Sequence, residues 1–144
     1  MNPYSYNISL RICHPSIDPD EITKILSLAP TRKWLAGENR TTPKGTLLEG
    51  YYKESYWCGP FQEYEKYDSV NFELEECIDE FTNNFQKHSD FFNEIRSTGG
   101  SVELFVGLFI DGNSGIVFPS SLLSSLGGLC VDLSLDIYPK EMGE

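Results

Sequence analysis

The chain has 144 residues, 40% of them hydrophobic, and its 22 acidic against 11 basic side chains give a formal net charge of −11 at pH 7. A chain of this length can bury a core without disulfides or metals, so we expect a single domain over residues 1–144. This negative charge repels phosphate backbones and anionic lipid head groups. It argues against nucleic acid and membrane surfaces as partners and favours basic proteins.

The sequence shows no targeting or membrane-spanning signal. Its first residues lack a basic segment followed by an apolar run, and no run of about 18 apolar residues occurs. We therefore expect a cytoplasmic protein. Four cysteines without paired spacing are typical of free, mostly buried thiols in a reducing compartment. They are Cys13, Cys58, Cys77 and Cys130.

The first predicted elements are a strand and a short helix. Residues 4–13 alternate between apolar and polar side chains, which predicts a strand with one face in a core. Asp18 as N-cap, Pro19 at the first helical position and Glu21 as the partner in a capping box predict a helix start. Pro30 ends this helical segment.

Residues 31–60 are the least regular part of the chain, with one strand expected near residues 46–56. Arg32, Lys33 and Trp34 form a basic and aromatic turn just after the first helix. Such a turn can hold an anion or a carboxylate. Alternatively, Trp34 packs into the core while Arg32 bridges to an acidic helix further along the chain. Both interpretations remain open.

The segment over residues 63–80 carries most of the charge asymmetry, with eight acidic side chains against Lys66 alone. The acidic residues are Glu63, Glu65, Asp68, Glu73, Glu75, Glu76, Asp79 and Glu80. One interpretation is a solvated helix face that keeps the protein soluble. The other is an acidic docking surface for a basic protein, which long-range attraction would guide to it.

Apolar side chains recur at helical spacing from Leu74 to Ile95 and stay within one stripe. This pattern predicts one amphipathic helix over about residues 73–96. Ser89 could cap a second helix, so a kink at that point is the alternative.

The last part of the chain, from Ser101 to Pro139, predicts two strands and a helix. Apolar residues occupy the even positions of 102–110 and the odd positions of 129–137. Each strand therefore puts one face into a core. A short helix over residues 120–126 connects the two strands.

Taken in order, these elements favour an α+β fold. We expect a two-layer domain with a mainly antiparallel sheet and helices on one face. A strand followed by a helix occurs once in each half of the chain. A duplicated, ferredoxin-like plan is therefore an alternative arrangement of the same elements.

Motifs for catalysis and metal binding are weak. Residues 57–60 read Trp-Cys-Gly-Pro, as in the thioredoxin active-site motif, but Phe61 stands where the second cysteine is needed. Cys13, His14 and His88 lack the spacing of a zinc site. We therefore expect no catalytic residue, no metal and no cofactor.

Five segments of the chain form a recognisable pattern. They are Leu10-Arg11-Ile12, Asp18-Pro19-Asp20-Glu21-Ile22, Leu28-Ala29-Pro30-Thr31-Arg32-Lys33-Trp34 with Gly37, Val102-Glu103-Leu104-Phe105-Val106-Gly107 and Leu133-Ser134-Leu135-Asp136-Ile137-Tyr138-Pro139. In these segments the chain resembles the domain-of-unknown-function 4279 family of small bacterial proteins, most specifically in residues 31–34 and at Gly107. The resemblance implies a single compact domain. It supplies no catalytic residue, because no activity is established for that family.

Three functional hypotheses follow. The first is a non-catalytic protein-binding module, in its most concrete form an immunity protein that neutralises a basic toxin through residues 63–80. The second is a small-ligand-binding protein or enzyme that uses the turn from Arg32 to Trp34. The third is an accessory domain that associates with itself along an unpaired strand. The sequence leaves the oligomeric state and the choice among the three open.

Overall fold

The computed structural model of the chain describes residues 2–62 and 65–139. Within these residues, helices and strands form the expected α+β arrangement, and no helix has the length and apolar character of a membrane span. The strands are β1 (Tyr4–His14), β2 (Arg32–Trp34), β3 (Asn39–Thr41), β4 (Leu47–Tyr51), β5 (Ser55–Gly59), β6 (Tyr67–Asp68), β7 (Ser101–Ile110) and β8 (Val131–Pro139). The helices are α1 (Pro19–Leu26), α2 (Leu74–Phe85), α3 (Ser89–Ser97) and α4 (Ser120–Gly128), with a 3₁₀ turn (Gln86–His88) between α2 and α3.

Six of these strands form one sheet in the order β2-β5-β1-β7-β8, with β6 paired to the start of β1. Neighbouring strands are antiparallel except for β7 and β8, which are parallel. Parallel neighbours need a crossover connection, and α4 lies in the connection between β7 and β8. β3 and β4 form a separate two-stranded hairpin. The expected mainly antiparallel sheet is confirmed.

The two strand-helix-strand units of the chain differ in arrangement. In the first unit, β5 lies between β1 and β2, which flank α1 in sequence. In the second unit, β7 and β8 flank α4 in sequence and are direct neighbours in the sheet. The sheet therefore does not repeat one plan twice, as a duplicated ferredoxin-like arrangement would.

One face of the sheet is buried under the helices, as the alternation of apolar residues predicts. Tyr6, Leu10 and Ile12 of β1 have no exposed surface, and they share a core with residues from all four α-helices. Trp57 of β5 is also fully buried, and its indole N–H donates to Thr23 Oγ1 on α1 over 3.0 Å. The helices thus pack on a single face of the sheet. We call the opposite face the open face.

The helix expected over residues 73–96 is divided. α2 ends at Phe85, a 3₁₀ turn follows, and α3 begins without a side-chain cap. Asn83, Asn84 and Ser89 flank the turn. Their short polar side chains compete for backbone hydrogen bonds, so they support a continuous helix poorly. The single predicted helix is therefore two helices that share one apolar stripe.

The single strand expected near residues 46–56 is two strands. β4 ends at Tyr51 and pairs with β3, whereas β5 begins at Ser55 and joins the main sheet. Gly50 has a φ of +90°, a left-handed conformation that interrupts a regular strand and favours glycine. The hairpin of β3 and β4 is therefore a separate unit beside the sheet.

Gly107 lies directly opposite Asn7 where β1 and β7 pair on the open face. The Asn7 side chain lies across the glycine, and its Oδ1 accepts a hydrogen bond from the Gly107 N–H over 3.2 Å. A Cβ at position 107 would overlap this oxygen. A residue with a Cβ therefore fits at position 107 only if the exposed Asn7 side chain moves away.

We predict that Gly107→Ala lowers the free energy of unfolding by about 1 to 3 kcal/mol, because the new methyl group forces the Asn7 side chain out of place. Adding Asn7→Ala should restore most of the loss, since the two side chains are in contact and their effects do not add. Urea unfolding of the single and double variants measures both effects. The control is Gly127→Ala on α4, where a Cβ has no atom within 4 Å. An unchanged urea midpoint for Gly107→Ala would contradict the proposed overlap.

Candidate binding surface

The acidic residues predicted as a docking surface lie on or next to β6 and along α2. Glu63 lies outside the described residues. The others are Glu65, Asp68, Glu73, Glu75, Glu76, Asp79 and Glu80, which we call the acidic surface. The apolar stripe of α2 faces the core. All residues of the acidic surface are therefore exposed except Glu75, which is half-buried.

No ion pair among the described residues involves the acidic surface, and Lys66, which lies between two of its members in sequence, places its ammonium group over Phe109. The ion pairs of that part of the chain join Arg11 to Glu103, Lys33 to Asp20 and Arg96 to Asp132. Carboxylates three or four residues apart on a helix repel one another. At the N-cap of α2, the negative charge of Glu75, followed by burial and the charge of Glu76, raises the pKa of Glu73 above its usual value. The folded protein therefore holds mutually repelling charge at this surface.

Asp68 is stabilised differently from the carboxylates on α2. The backbone N–H and the side-chain amide of Asn71 both donate hydrogen bonds to the Asp68 carboxylate. These bonds lower the pKa of Asp68. Asp68 therefore remains ionised and also shapes the turn that leads from β6 into α2.

Tyr4 joins the acidic surface to the central strand β1. The Leu74 N–H at the start of α2 donates to the Tyr4 hydroxyl over 3.0 Å, and this hydroxyl donates to Glu75 Oε1 over 3.3 Å. Glu73, at the N-cap position of α2, makes no side-chain capping bond. Tyr4 thus satisfies a backbone donor that an N-cap residue usually satisfies. Burial raises the pKa of Tyr4 to about 12, which keeps the phenol protonated.

A groove of about 730 Å³ lies at the end of the sheet beside the acidic surface. Val70, Phe109 and Tyr138 form apolar parts of its wall, and Asp68 lines it from the acidic surface. The ammonium group of Lys66 lies 4.4 Å from the centre of the Phe109 ring, which stacks on Tyr138. The groove therefore combines aromatic walls with charged groups.

A second groove of about 380 Å³ adjoins the first and shares Pro3, Tyr4 and Val70 with it. Glu73 and Glu75 border this second groove. We call the two together the acidic grooves. Lysine and arginine pack their aliphatic stems on apolar surface and keep their charged heads near water or anions. Apolar walls bordered by carboxylates suit these two side chains.

The structure places the three residues of the predicted ligand site on two faces of β2, although Arg32 and Lys33 border one groove of about 340 Å³ and Arg32 and Trp34 border another of about 440 Å³. Arg32 and Trp34 lie on the open face of β2, whereas Lys33 pairs with Asp20 of α1 on the helix side. Arg32 donates to the Thr41 carbonyl over 2.8 Å and lies 5.0 Å from the Trp34 ring. Arg32 therefore connects β2 to the hairpin, and it does not bridge to the acidic helix.

Trp34 packs between two tyrosines on the open face and not in the core. Its ring centroid lies 4.1 Å from that of Tyr52 and 4.4 Å from that of Tyr56, with the rings nearly parallel. Its indole N–H donates to the Glu54 carbonyl over 3.0 Å. Trp34 therefore fixes the end of the hairpin against β5.

An aromatic ladder that the sequence analysis missed crosses the open face. Its members are Tyr52, Trp34, Tyr56, Arg11 and Phe105. The Arg11 guanidinium lies 5.8 Å from the centre of the Tyr56 ring and 4.4 Å from that of Phe105. The sequence did contain a signal for this ladder: Arg11 and Phe105 are large side chains on the polar faces of the two strands predicted over residues 4–13 and 102–110. Because members stack on one another, the ladder covers ring faces that nucleic-acid bases would need for stacking.

The cysteines do not have the setting of a thioredoxin-like site. Cys58 lies in β5 and not at the start of a helix, where the helix dipole would stabilise a thiolate. Burial raises the pKa of Cys77 to about 12 and that of Cys13 to about 11. Both thiols therefore stay protonated at neutral pH. Across residues 2–62 and 65–139, no group of three His, Cys, Asp or Glu side chains could hold a metal ion.

We predict that Tyr4→Phe lowers the free energy of unfolding by about 1 to 3 kcal/mol, because it leaves the Leu74 N–H at the start of α2 without its acceptor. Urea unfolding at neutral pH measures the loss. Tyr51→Phe is the matched control, since Tyr51 is 66% exposed. Equal stability of Tyr4→Phe and the wild type would show that this hydroxyl does not cap α2.

The same variant tests the raised pKa of Tyr4. A phenol whose pKa rises from 10 in the unfolded chain to about 12 in the folded one stabilises the fold fully below pH 10. This contribution is lost as pH rises from 10 towards 12. Stability of Tyr4→Phe should therefore fall less steeply than that of the wild type across this window. Parallel curves for the two proteins would contradict the assignment.

A comparison with protein families returns a match to the model for the domain of unknown function DUF4279 over residues 4–140. No curated protein and no solved structure matches the chain. The family match covers nearly the whole chain and confirms the resemblance that the five sequence segments show. The chain therefore belongs to the DUF4279 family.

Proposed function

We propose that the protein is a non-catalytic protein-binding module and that its partner is a basic protein. One observation carries the proposal: no ion pair in the described residues neutralises the acidic surface, and this surface borders grooves with apolar walls. A basic partner would supply the missing cations. It would also place lysine or arginine stems on the apolar walls. The acidic surface and the acidic grooves are thus complementary to the same side chains.

The net charge of −11 would act before the two proteins touch. Opposite charge attracts a partner over a distance and speeds association, while salt screens the attraction. Repulsion between Glu73 and Glu75 would also fall as cations of the partner approach. We therefore propose binding that is tight at low salt and weakens as salt is added.

In its narrower form, the proposal is an immunity protein that neutralises a basic toxin in the cytoplasm. A toxin that acts on nucleic acid needs a basic site to bind phosphates. An acidic surface bordered by grooves could cover such a site and exclude its substrate. The four free cysteines support an inhibitor that works in a reducing compartment.

The test compares matched charge variants against an identified partner. The wild-type chain captures the partner from cells of its source organism at low salt, and calorimetry then measures its affinity for the purified partner. The triple variant Glu73→Gln/Glu76→Gln/Asp79→Asn should bind about tenfold more weakly. Wild-type affinity should fall as salt rises from about 50 to about 200 mM.

The control variant Glu21→Gln/Glu49→Gln/Glu94→Gln removes the same charge from exposed positions outside the acidic surface. Its affinity should stay within about threefold of the wild type. An equal loss in both variants would assign the effect to net charge alone and reject the acidic surface as the site. The immunity form is rejected separately if the captured partner is harmless to cells that lack this protein.

A further inference from the structure

β8 forms one edge of the main sheet. It pairs with β7 along its whole length of nine residues, and no other strand in the described ranges pairs with its outer edge. About half of the backbone N–H and C=O groups of an edge strand point away from its only neighbour. β8 therefore presents unpaired donors and acceptors along one side.

β8 is neither short nor bulged and has no lysine, so its two aspartates are the charged residues that oppose unwanted pairing. Protected edge strands are commonly short, interrupted by a bulge or proline, or marked by lysine. The register of β8 on β7 runs without a shift from Val131 to Pro139, and the proline stands only at the end. The opposite edge strand, β2, is three residues long and contains Arg32 and Lys33. Of the two edges of the main sheet in the described residues, β8 is therefore the long and regular one.

The two faces of β8 differ in chemistry. On the helix side, Leu135 is 40% exposed and Ile137 is 53% exposed, although Val131 at the start of the strand is buried. On the open face, the charged residues of β8 are Asp132 and Asp136. Apolar and acidic side chains thus alternate along an unpaired strand.

Both aspartates keep the capacity to accept further bonds. Asp132 has Arg96 at 3.5 Å, but both side chains are more than half exposed, and such pairs are weak. Asp136 accepts a hydrogen bond from the Tyr138 hydroxyl. A carboxylate accepts about four hydrogen bonds, so a cation from a neighbouring strand can still bind each of them.

We propose that β8 receives an extended segment of a protein partner as an added strand, and that this segment alternates basic and apolar residues. Main-chain hydrogen bonds to the open edge would hold the segment, as in other cases of strand addition. Its basic side chains would lie beside Asp132 and Asp136, and its apolar ones beside Leu135 and Ile137. Opposite charges across a strand pair stabilise it, and like charges destabilise it.

Charge argues against a second copy of this chain as the occupant. Every copy carries a net charge of −11, and β8 itself has only negative charges. Pairing two β8 strands would bring four aspartates together with only the weakly paired, exposed Arg96 of each copy beside them. The end of β8 adjoins the acidic grooves at Tyr138 and Pro139, but Asp132, Asp136 and the unpaired edge lie outside the acidic surface on β6 and α2. This proposal therefore goes beyond the proposed function, and exchange slowed in β8 or in α2 tells the two apart.

The experiment uses the full chain and three labelled peptides of nine residues, the length of β8. The first alternates lysine and valine, the second has the same composition with the lysines grouped at one end, and the third alternates glutamate and valine. Fluorescence anisotropy at physiological salt measures affinity, and hydrogen exchange locates the bound peptide. We expect the alternating lysine peptide to bind about tenfold more tightly than either other peptide and to slow exchange in β8.

Charge reversal provides the matched test. Asp132→Lys/Asp136→Lys should reverse the preference, so that the alternating glutamate peptide binds about tenfold more tightly than the alternating lysine one. Glu49→Lys/Glu94→Lys changes the net charge equally and should keep the wild-type preference. If circular dichroism shows that the reversed variant is unfolded, Asp132→Asn/Asp136→Asn replaces it and should bind the lysine peptide more weakly than Glu49→Gln/Glu94→Gln.

Three results would overturn the proposal. The first is equal binding of the alternating and grouped lysine peptides, which would show attraction by charge alone. The second is slowed exchange in α2 with none in β8. The third is a dimer of the free wild-type chain in sedimentation that Asp132→Lys/Asp136→Lys abolishes, because β8 would then pair with a second copy.

Discussion

The burial of one face of β1 is the interaction on which the other elements depend. Tyr6, Leu10 and Ile12 are fully buried, and β1 lies in the middle of the sheet between β5 and β7. All four α-helices contribute to the core on this side. Because the core lies on this side, the open face of the sheet can carry the aromatic ladder, and the solvent-facing side of α2 can carry the acidic surface. The burial of apolar surface in this core stabilises the fold, so the aromatic ladder and the acidic surface need not do so.

Short-range sequence patterns predicted the elements whose structure depends on neighbouring residues, namely single strands and helix caps. The alternation along β1 and β7 and the cap at Asp18, whose side chain accepts from the Asp20 N–H, appear in the structure. The sequence did not predict features that depend on contacts between segments far apart in the chain. β4 and β5 separate because β4 pairs with β3. Likewise, no local pattern shows that Tyr4 caps a helix seventy residues away in sequence.

The sequence predicted which acidic residues make up the candidate binding surface, but it did not predict the grooves beside them. The run of carboxylates is visible in the sequence, whereas the grooves beside it arise where the ends of β1, β7 and β8 meet the segment after β6. The sequence did not predict how the side chains of the turn from Arg32 to Trp34 are arranged. Successive residues of a strand point to opposite faces, so Lys33 lies apart from Arg32 and Trp34, and both of the latter support the hairpin.

The central claim is that the acidic surface serves binding and does not stabilise the fold. Urea unfolding of the wild type and of Glu73→Gln/Glu76→Gln/Asp79→Asn, at low and at high salt, tests this claim most directly. We expect the variant to be at least as stable as the wild type at low salt, because the lost repulsion between carboxylates offsets their lost attraction to the N-terminus of α2, and we expect any difference to shrink as salt screens the charges. A variant that is less stable than the wild type at both salt concentrations would contradict the claim, since the carboxylates would then support the fold.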